Sequence, residues 1–146
     1  MIRQILKSNN EWTGFILRLT IGLILLPHGA QKALGWFGGY GFEGTMNFFT
    51  ETMNLPWIIA VLVIVIEFIG SLFLIAGFAT RIWATAVIVN MTGIIFSSHI
   101  QHGFFMNWFG NQAGEGIEYF LLVIGLASAL LFTGSGKYST DKLIIH

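Results

Sequence analysis

The stretch Gly14–Gly39, GFILRLTIGLILLPHGAQKALGWFGG, decides how this chain folds. Its apolar part, at about residues 14–34, is long enough to cross a bilayer as a helix, which takes about 20 residues. The same run carries Arg18, Pro27, His28 and Lys32. An ionisable side chain at membrane depth costs about 3 kcal/mol on insertion scales and is a functional-site hypothesis by default. The stretch therefore predicts a membrane span with polar groups of functional interest inside it.

Arg18 lies between two glycines on one face of the predicted helix. Gly14 and Gly22 are each four residues away from it, and residues four apart in a helix share a face. Small residues mark the contacts between membrane helices. We therefore expect Arg18 to point into the protein rather than into lipid.

The composition of the whole chain agrees with a membrane protein. Of its 146 residues, 55% are hydrophobic and 10% are charged, whereas about a quarter are charged in a soluble domain. The formal net charge of zero argues against nucleic acid as a partner. No cysteine is present, which excludes disulfides, iron–sulfur ligation and thiol chemistry on this chain. No stretch has the composition of a linker, so we expect one domain over residues 1–146.

Three further apolar runs predict three more spans, at about residues 57–78, 81–98 and 116–133. The fold class is therefore all-α, a four-transmembrane-helix bundle. Residues 42–53 place apolar side chains at helical spacing, which predicts a short amphipathic helix at the membrane surface between the first two spans. The segment GWFGGYGFEG before it matches GxGxxG, but a dinucleotide site needs a preceding strand, so we interpret the segment as an interfacial turn.

Basic residues set the expected orientation, because cytoplasmic loops carry more Lys and Arg. With four spans, both termini and the 78–81 turn share one side, and that side collects Arg3, Lys7, Arg81, Lys137 and Lys142. We therefore predict a multi-pass protein of the prokaryotic plasma (inner) membrane with both termini in the cytoplasm. The N-terminal run also imitates a signal peptide, but Arg18 interrupts it, so we expect no cleavage.

Glu67 is the one charge of the second span and lies near its middle. Small residues follow it at helical spacing, so its carboxylate should face the bundle. At 1.5 Å per residue, the depths of Arg18 and His28 in the membrane each differ from that of Glu67 by about 6 Å, which is within side-chain reach. We predict an Arg18–Glu67 pair with His28 and Glu118 above it. Such a cluster is either a buried ion pair that fixes helix register or a polar pocket that passes protons to a small ligand.

The candidate site residues fall into two groups. The catalytic candidates, chosen for acid–base chemistry, are His28, Glu67 and Glu118. The ligand-binding candidates are Arg18, Lys32, His99 and Trp36. His99 and His102 are three residues apart, but no third ligand accompanies them, so we expect no metal site. A quinone is a candidate cofactor, and a haem between His28 and either His99 or His102 is the weaker expectation.

Short motifs are spread over nearly the whole chain. The first span carries Arg18-Leu19, Gly22, His28-Gly29-Ala30-Gln31-Lys32 and Gly35-Trp36-Phe37-Gly38-Gly39. The later motifs are Pro56, Glu67-Phe68-Ile69-Gly70, Gly77, Thr80-Arg81, His99, Gly103-Phe104-Phe105, Glu118-Tyr119, Gly134, Gly136, Ser139 and Asp141. In combination they resemble the DoxX family of membrane proteins. By this resemblance the polar positions of the family are Arg18, His28, Lys32, Glu67, Arg81, His99 and Glu118.

The resemblance implies a compact bundle of four membrane helices and a link to quinone chemistry. The family takes its name from the small subunits of an archaeal thiosulfate:quinone oxidoreductase, and other members are tied to oxidative or quinone stress. The leading hypothesis is a membrane subunit of a quinone-linked redox system. In it His28 and Glu118 are proton partners and Glu67 orients His28, while Arg18 keeps Glu67 ionised.

Two alternatives to an enzyme subunit stay open. One is a non-enzymatic scaffold or anchor for a partner oxidoreductase, which would use exposed surfaces such as residues 104–109. The other is the binding or transport of a small apolar molecule, for which no pair of matching broken helices is visible. The expected partners are the lipid bilayer, a partner oxidoreductase subunit and further copies of the same chain.

Overall fold

The computed structural model describes residues 11–145. Every regular element in that range is helical, and no strand occurs there. The helices are α1 (Trp12–Leu34), α2 (Gly41–Asn47), α3 (Trp57–Ala76), α4 (Thr80–His102), α5 (Glu118–Thr133) and α6 (Thr140–Ile145). Arg3 and Lys7, which belong to the predicted cytoplasmic basic set, lie outside the described residues.

Three helices in the described part of the chain are long and apolar enough to cross a membrane. They are α1 with 23 residues, α3 with 20 and α4 with 23. Helix α5 is apolar as well but has 16 residues, so its length of about 24 Å falls short of the roughly 30 Å of a hydrocarbon core. The prediction of an all-helical chain with several candidate membrane spans is confirmed.

Helix α4 is longer than predicted and ends at His102 instead of near residue 98. A π-helical turn at Ile95–His99 and a 3₁₀ turn at Ile100–His102 continue it without a break. The span was predicted to end near residue 98, with a loop from His99 onward, but these wider and tighter turns carry the helix through His99 and His102. Both histidines of this region therefore lie on the last turns of a helix rather than in the loop.

The four longest helices pack into one bundle. Helix α1 contacts α3 and α5, and α4 contacts α5 and α3. The interior is filled by Ile21, Leu25, Leu74, Ala84, Val87, Met91, Val123, Ala127 and Leu130. The short helix α2 packs against α1 and the start of α3, where Met46 contacts Ala60 and Ile64 in a second apolar cluster.

Glycines on α1 allow the neighbouring backbone to approach closely. A Cβ atom on Gly29 would lie 2.5 Å from the carbonyl group of Glu67 on α3. A Cβ atom on Gly14 would collide with the carbonyl oxygen of Gly134, just after α5. Arg18 lies on this packed face and is 1% exposed, which confirms that it points into the protein.

The turn between α3 and α4 is closed by the C-terminal segment. Ala79, with φ of 49°, precedes α4, and the Asp141 carboxylate accepts hydrogen bonds from the N–H groups of Ala79 at 2.6 Å and Thr80 at 3.1 Å. The Thr80 side chain does not cap this helix. The Thr80 hydroxyl is buried and has no hydrogen-bond partner among the described residues, because the distant carboxylate of Asp141 takes its place.

Candidate functional site

Glu67 occupies an irregular turn in the middle of α3. The segment Ile66–Gly70 is π-helical, whereas the helix is α-helical on both sides of it. Glu67 is 3% exposed, so its side chain lies inside the bundle as predicted. π-Helical turns within α-helices are frequent at functional sites. The backbone of this turn also contacts Gly29 of α1, so the two helices are closest at the level of the carboxylate.

Lys32 is the charged partner of Glu67. Its Nζ atom lies 2.6 Å from Oε2 of the carboxylate, and the side chains of Lys32 and Glu67 are 25% and 4% exposed. Asn90 of α4 donates a hydrogen bond from Nδ2 to the other oxygen, Oε1, at 3.3 Å. The cluster therefore joins three helices. Of its three residues only Lys32 is partly exposed to solvent.

Tyr119, in the first turn of α5, carries a buried hydroxyl oxygen that has no hydrogen-bond partner within the described residues. A buried polar atom without a partner costs about 1–3 kcal/mol. The ring packs on the apolar core and makes an edge-to-face contact with Phe120, with centroids 5.4 Å apart. The hydroxyl is thus an unused hydrogen-bonding group inside the bundle.

Arg18 does not pair with Glu67, and that prediction was wrong. Its guanidinium donates to five backbone carbonyl groups, two at the end of α3 and three in the segment after α5. The bonds go to Leu74 (3.2 Å), Ile75, Ser135 (2.8 Å), Lys137 (3.0 Å) and Tyr138 (2.7 Å). The residue precedes Gly29 by eleven positions, about 16 Å along α1, which places it too far from the carboxylate. Arg18 instead fastens the C-terminal segment to the bundle.

His28 does not face the ion pair either. It is exposed on the outside of α1, on the same surface as Ile24. The neighbouring residue, Gly29, takes the position against α3, and successive helical residues are about 100° apart around the axis. The predicted contact between His28 and Glu67 is therefore absent, because the close approach of the two helices admits only the glycine.

Glu118 organises the loop between α4 and α5. Its Oε1 atom accepts hydrogen bonds from the N–H of Met106 at 2.9 Å and the indole of Trp108 at 3.2 Å. Glu115 binds the N–H of Asn107 in the same way at 2.7 Å. The predicted position of Glu118 above an Arg18–Glu67 pair was wrong, because its carboxylate is engaged by backbone and indole donors of its own loop.

The remaining predicted ligands are spread over the same end of the bundle. His99 lies 3.3 Å from the carbonyl oxygen of Ile94 through Nδ1, and its ring packs 4.4 Å from that of Phe120. Trp36 is 60% exposed and touches only the neighbouring Phe37 ring in the described aromatic contacts. Within residues 11–145 no three His, Asp or Glu side chains come together as a metal-binding group.

Comparison with known proteins places the chain in a family. The family model for DoxX matches residues 14–100, which is more than half of the chain. The chain belongs to the DoxX family. The matched region contains Arg18, Lys32, Glu67 and Asn90, whereas Tyr119 and Asp141 lie beyond it.

Two relatives of this DoxX chain are similar over most of its length. It is 30% identical over 129 residues to "Putative oxidoreductase CatD" of Bacillus subtilis (strain 168), covering 88% of this chain and 84% of that protein. It is 33% identical over 112 residues to "Inner membrane protein YqjF" of Escherichia coli (strain K12), covering 75% of this chain and 79% of that protein. No solved structure matches the chain.

Sequence reasoning missed Asn90 as a member of the cluster. It is an uncharged polar residue in the middle of an apolar helix, and this position was the available signal; the structure shows it 6% exposed. The buried hydroxyl of Tyr119 was also missed, because Tyr119 stands in the first turn of an apolar helix, where tyrosine is common at membrane interfaces. Nothing in its local sequence indicates that its hydroxyl would be buried.

Proposed function

We propose that this DoxX protein is a membrane subunit of a quinone-linked redox system in the bacterial plasma membrane. Its quinone site is the cluster of Lys32, Glu67 and Asn90. The observation that carries the proposal is the 2.6 Å ion pair between Lys32 and a carboxylate that is 3% exposed in the middle of an apolar span. The name of the relative CatD, "Putative oxidoreductase", is additional support for a redox role.

A purely structural ion pair is the simpler explanation, and three features argue against it. Arg18 already fixes α1 against α3 and the C-terminal segment through its carbonyl bonds. Replacing a buried ion pair by apolar residues is often neutral or stabilising, so the Lys32–Glu67 pair adds little stability as a second link between α1 and α3. Lys32 is also one-quarter exposed, which leaves the cluster accessible from one side.

The residues present fit a quinone, which is a neutral ring with two carbonyl oxygens that gains two electrons and two protons on reduction. The Lys32 ammonium group donates a hydrogen bond to one ring oxygen. In quinol oxidation the Glu67 carboxylate accepts a proton from a ring hydroxyl, passes it out along the exposed Lys32 side and then accepts the second. Both electrons pass to an electron acceptor on the partner oxidoreductase subunit, so that quinol is oxidised to quinone as that acceptor is reduced.

Proton exchange with His28 and Glu118 is the other part of the predicted scheme. Each side chain would have to move, since His28 faces outward and Glu118 is bonded within its loop. That part stays a prediction.

We further propose that α5 is the fourth span and that α2 lies at the membrane surface, with both termini in the cytoplasm. Helix α5 packs along α4 and α1 inside the bundle, where a short helix is tolerated because its neighbours cover it. Trp36, Phe37 and Tyr40 are 60%, 68% and 82% exposed just before α2, as expected for aromatic residues at headgroup level.

The proposed quinone site is tested by binding to the full chain in mild detergent. The purified protein is titrated with a short-chain ubiquinone, and bound quinone is measured by mass spectrometry after gel filtration. We expect Glu67→Gln to weaken binding by about tenfold or more, because Lys32 loses the charge that positions it. Glu43→Gln is the matched control, since Glu43 is an exposed carboxylate on α2. Equal binding by both variants and the wild type would refute the site.

A second candidate function is a scaffold for a partner oxidoreductase. The observation that favours it is the aromatic loop after α4, in which Phe104, Phe105, Trp108 and Phe109 are 51%, 66%, 79% and 90% exposed. On this alternative, Phe109→Ser abolishes co-purification of the partner while Glu67→Gln leaves it intact. Loss of the partner with Glu67→Gln alone would exclude the scaffold.

A further inference from the structure

The aromatic loop between α4 and α5, residues 103–117, directs its aromatic side chains outward. The most exposed are Phe105, Trp108 and Phe109, at 66%, 79% and 90%. Residues 103–114 include no Lys, Arg, His, Asp or Glu. An exposed apolar patch of this kind marks a contact with protein or with a membrane. The uncharged, aromatic composition favours the membrane interface, where such rings are enriched.

Hydrogen bonds within the protein hold this loop in one conformation against the start of α5. The Glu118 N–H donates to the carbonyl oxygen of Phe104 at 3.0 Å. The Glu118 carboxylate accepts hydrogen bonds from the Met106 N–H at 2.9 Å and the Trp108 indole at 3.2 Å. Donors that are bonded within the protein can leave water at a much lower cost than unsatisfied ones. The loop can therefore rest at the boundary between lipid headgroups and acyl chains.

The loop lies where the bundle lacks apolar length. Helix α5 has 16 residues and is about 24 Å long, roughly 6 Å less than the hydrocarbon core of a bilayer. The bonds to Glu118 place the loop at the end of the bundle where α5 begins. Its exposed rings therefore add apolar surface next to the shortest of the four long helices.

A second group of exposed rings lies at the same end of the bundle. Helix α1 runs antiparallel to α3, because the later glycines of α1 meet the earlier residues of α3. Helices α3 and α4 are also antiparallel, since a short turn joins them and Asn90 reaches back to Glu67. The ends of α1 and α4 are therefore on one side, and the exposed rings that follow α1 are those of Trp36, Phe37 and Tyr40. Two separate aromatic segments at one end match the aromatic belt of a membrane protein.

We propose that the aromatic loop docks into the lipid bilayer, with the rings of Phe105, Trp108 and Phe109 at the boundary between headgroups and acyl chains. This inference rests on the proposed role of α5 as the fourth span. The loop then covers the end of a helix that is too short to cross the hydrocarbon core alone. The contact is apolar and does not require anionic lipid, because residues 103–114 carry no basic side chain.

The test places nitroxide labels on single cysteines, which is direct because the chain has no cysteine of its own. The labelled full chain is reconstituted into vesicles of phosphatidylethanolamine and phosphatidylglycerol. Electron paramagnetic resonance then measures how often the label collides with oxygen, which is enriched in lipid, and with a water-soluble nickel chelate. We expect the oxygen-to-nickel ratio of Phe109→Cys to be severalfold higher than that of Gln112→Cys, an exposed polar position in the same loop. Val89→Cys, at a position 65% exposed on α4, is the lipid reference.

The outcomes at Phe109 decide between lipid and the other occupants of this surface. A ratio no higher than that at Gln112 overturns the proposal, and it is the result expected if the loop is a surface for a partner protein. Protection of the Phe109 label from both reagents also overturns it, because a second copy of the chain would then cover the loop. Vesicles of phosphatidylcholine alone should give the same high ratio, and a ratio that falls to that of Gln112 would overturn the apolar contact. Phe105→Cys repeats the test at a second position.

A label on α5 separates this inference from the span on which it rests. Leu122 is 63% exposed on α5, so Leu122→Cys should give a ratio similar to that of Val89→Cys. A lipid-like ratio at Leu122 with a water-like ratio at Phe109 overturns the docking of the loop and leaves the fourth span standing. A water-like ratio at Leu122 overturns both.

Discussion

Replacing Arg18 by methionine tests whether the guanidinium group of Arg18 fastens α1 to α3 and to the C-terminal segment. Arg18 is 1% exposed, and its five carbonyl bonds connect α1 to the end of α3 and to residues 135–138. Methionine fills a similar space and suits an apolar surrounding, so the change removes mainly the hydrogen bonds. We expect a large loss of stability with little change in membrane insertion.

The magnitude follows from the carbonyl groups that lose their donor. The carbonyls of Ser135, Lys137 and Tyr138 have no intrahelical partner, and an unsatisfied buried group costs about 1–3 kcal/mol. Three such groups give about 3 kcal/mol at the lower limit and more toward the middle of that range. We therefore expect about 4 kcal/mol, or a fall of roughly 10 °C in unfolding temperature on the scaling for domains of this size.

The assay is thermal unfolding of the purified variant in detergent, followed by the fluorescence of its tryptophans. Lys137→Met is the matched control, because it removes a cation from the same segment and leaves the backbone carbonyl in place. Its side chain contacts the Trp12 ring at 4.5 Å, so its loss should cost less than about 1 kcal/mol. An Arg18→Met variant as stable as the Lys137→Met control would show that the guanidinium does not fasten the segment.

Three further predictions concern the packing around the site and the closure of the bundle. Gly29→Ala should lower stability by about 1–3 kcal/mol in denaturant unfolding and weaken quinone binding, because its Cβ atom would press on the Glu67 carbonyl; an unchanged variant would contradict the close helix contact. Asp141→Ala should cost about 1–2 kcal/mol by the same measurement, since two N–H groups at the start of α4 lose their acceptor, whereas Asp141→Asn should recover part of it. His28→Ala should change unfolding by less than about 0.5 kcal/mol, and a larger loss would mean that its exposed side chain has a structural partner.

The fold class and the inward-facing residues were readable from the sequence. Hydropathy is a local and additive property, so apolar runs of sufficient length predict membrane helices without knowledge of their neighbours. Helical periodicity is local as well, and it correctly placed Arg18 and Glu67 on the packed faces of α1 and α3. The short motifs were enough to indicate the DoxX family, which the family match confirms.

The choice of partners within the bundle was decided only by the tertiary structure. Arg18 and Lys32 lie on nearby faces of α1, about 40° apart around the axis, so periodicity cannot choose between them as the partner of Glu67. The choice depends on how far α1 is shifted along α3, and the contact of Gly29 with the Glu67 backbone fixes that shift. Lys32 is then one turn away, while Arg18 lies about 16 Å along the axis.

The hydrogen bonds of Asp141 and the burial of the Tyr119 hydroxyl also depend on tertiary packing. Asp141 binds the N–H of Thr80 at the start of α4 although it lies 61 residues further along the chain. The Tyr119 hydroxyl is buried by the packing of α5 in the bundle, which the sequence around Tyr119 does not indicate. The sequence by itself determined which segments are helices and which of their faces turn inward. The axial offsets between helices, and therefore every contact of the candidate site, were set by side-chain packing across the bundle, which no local pattern encodes.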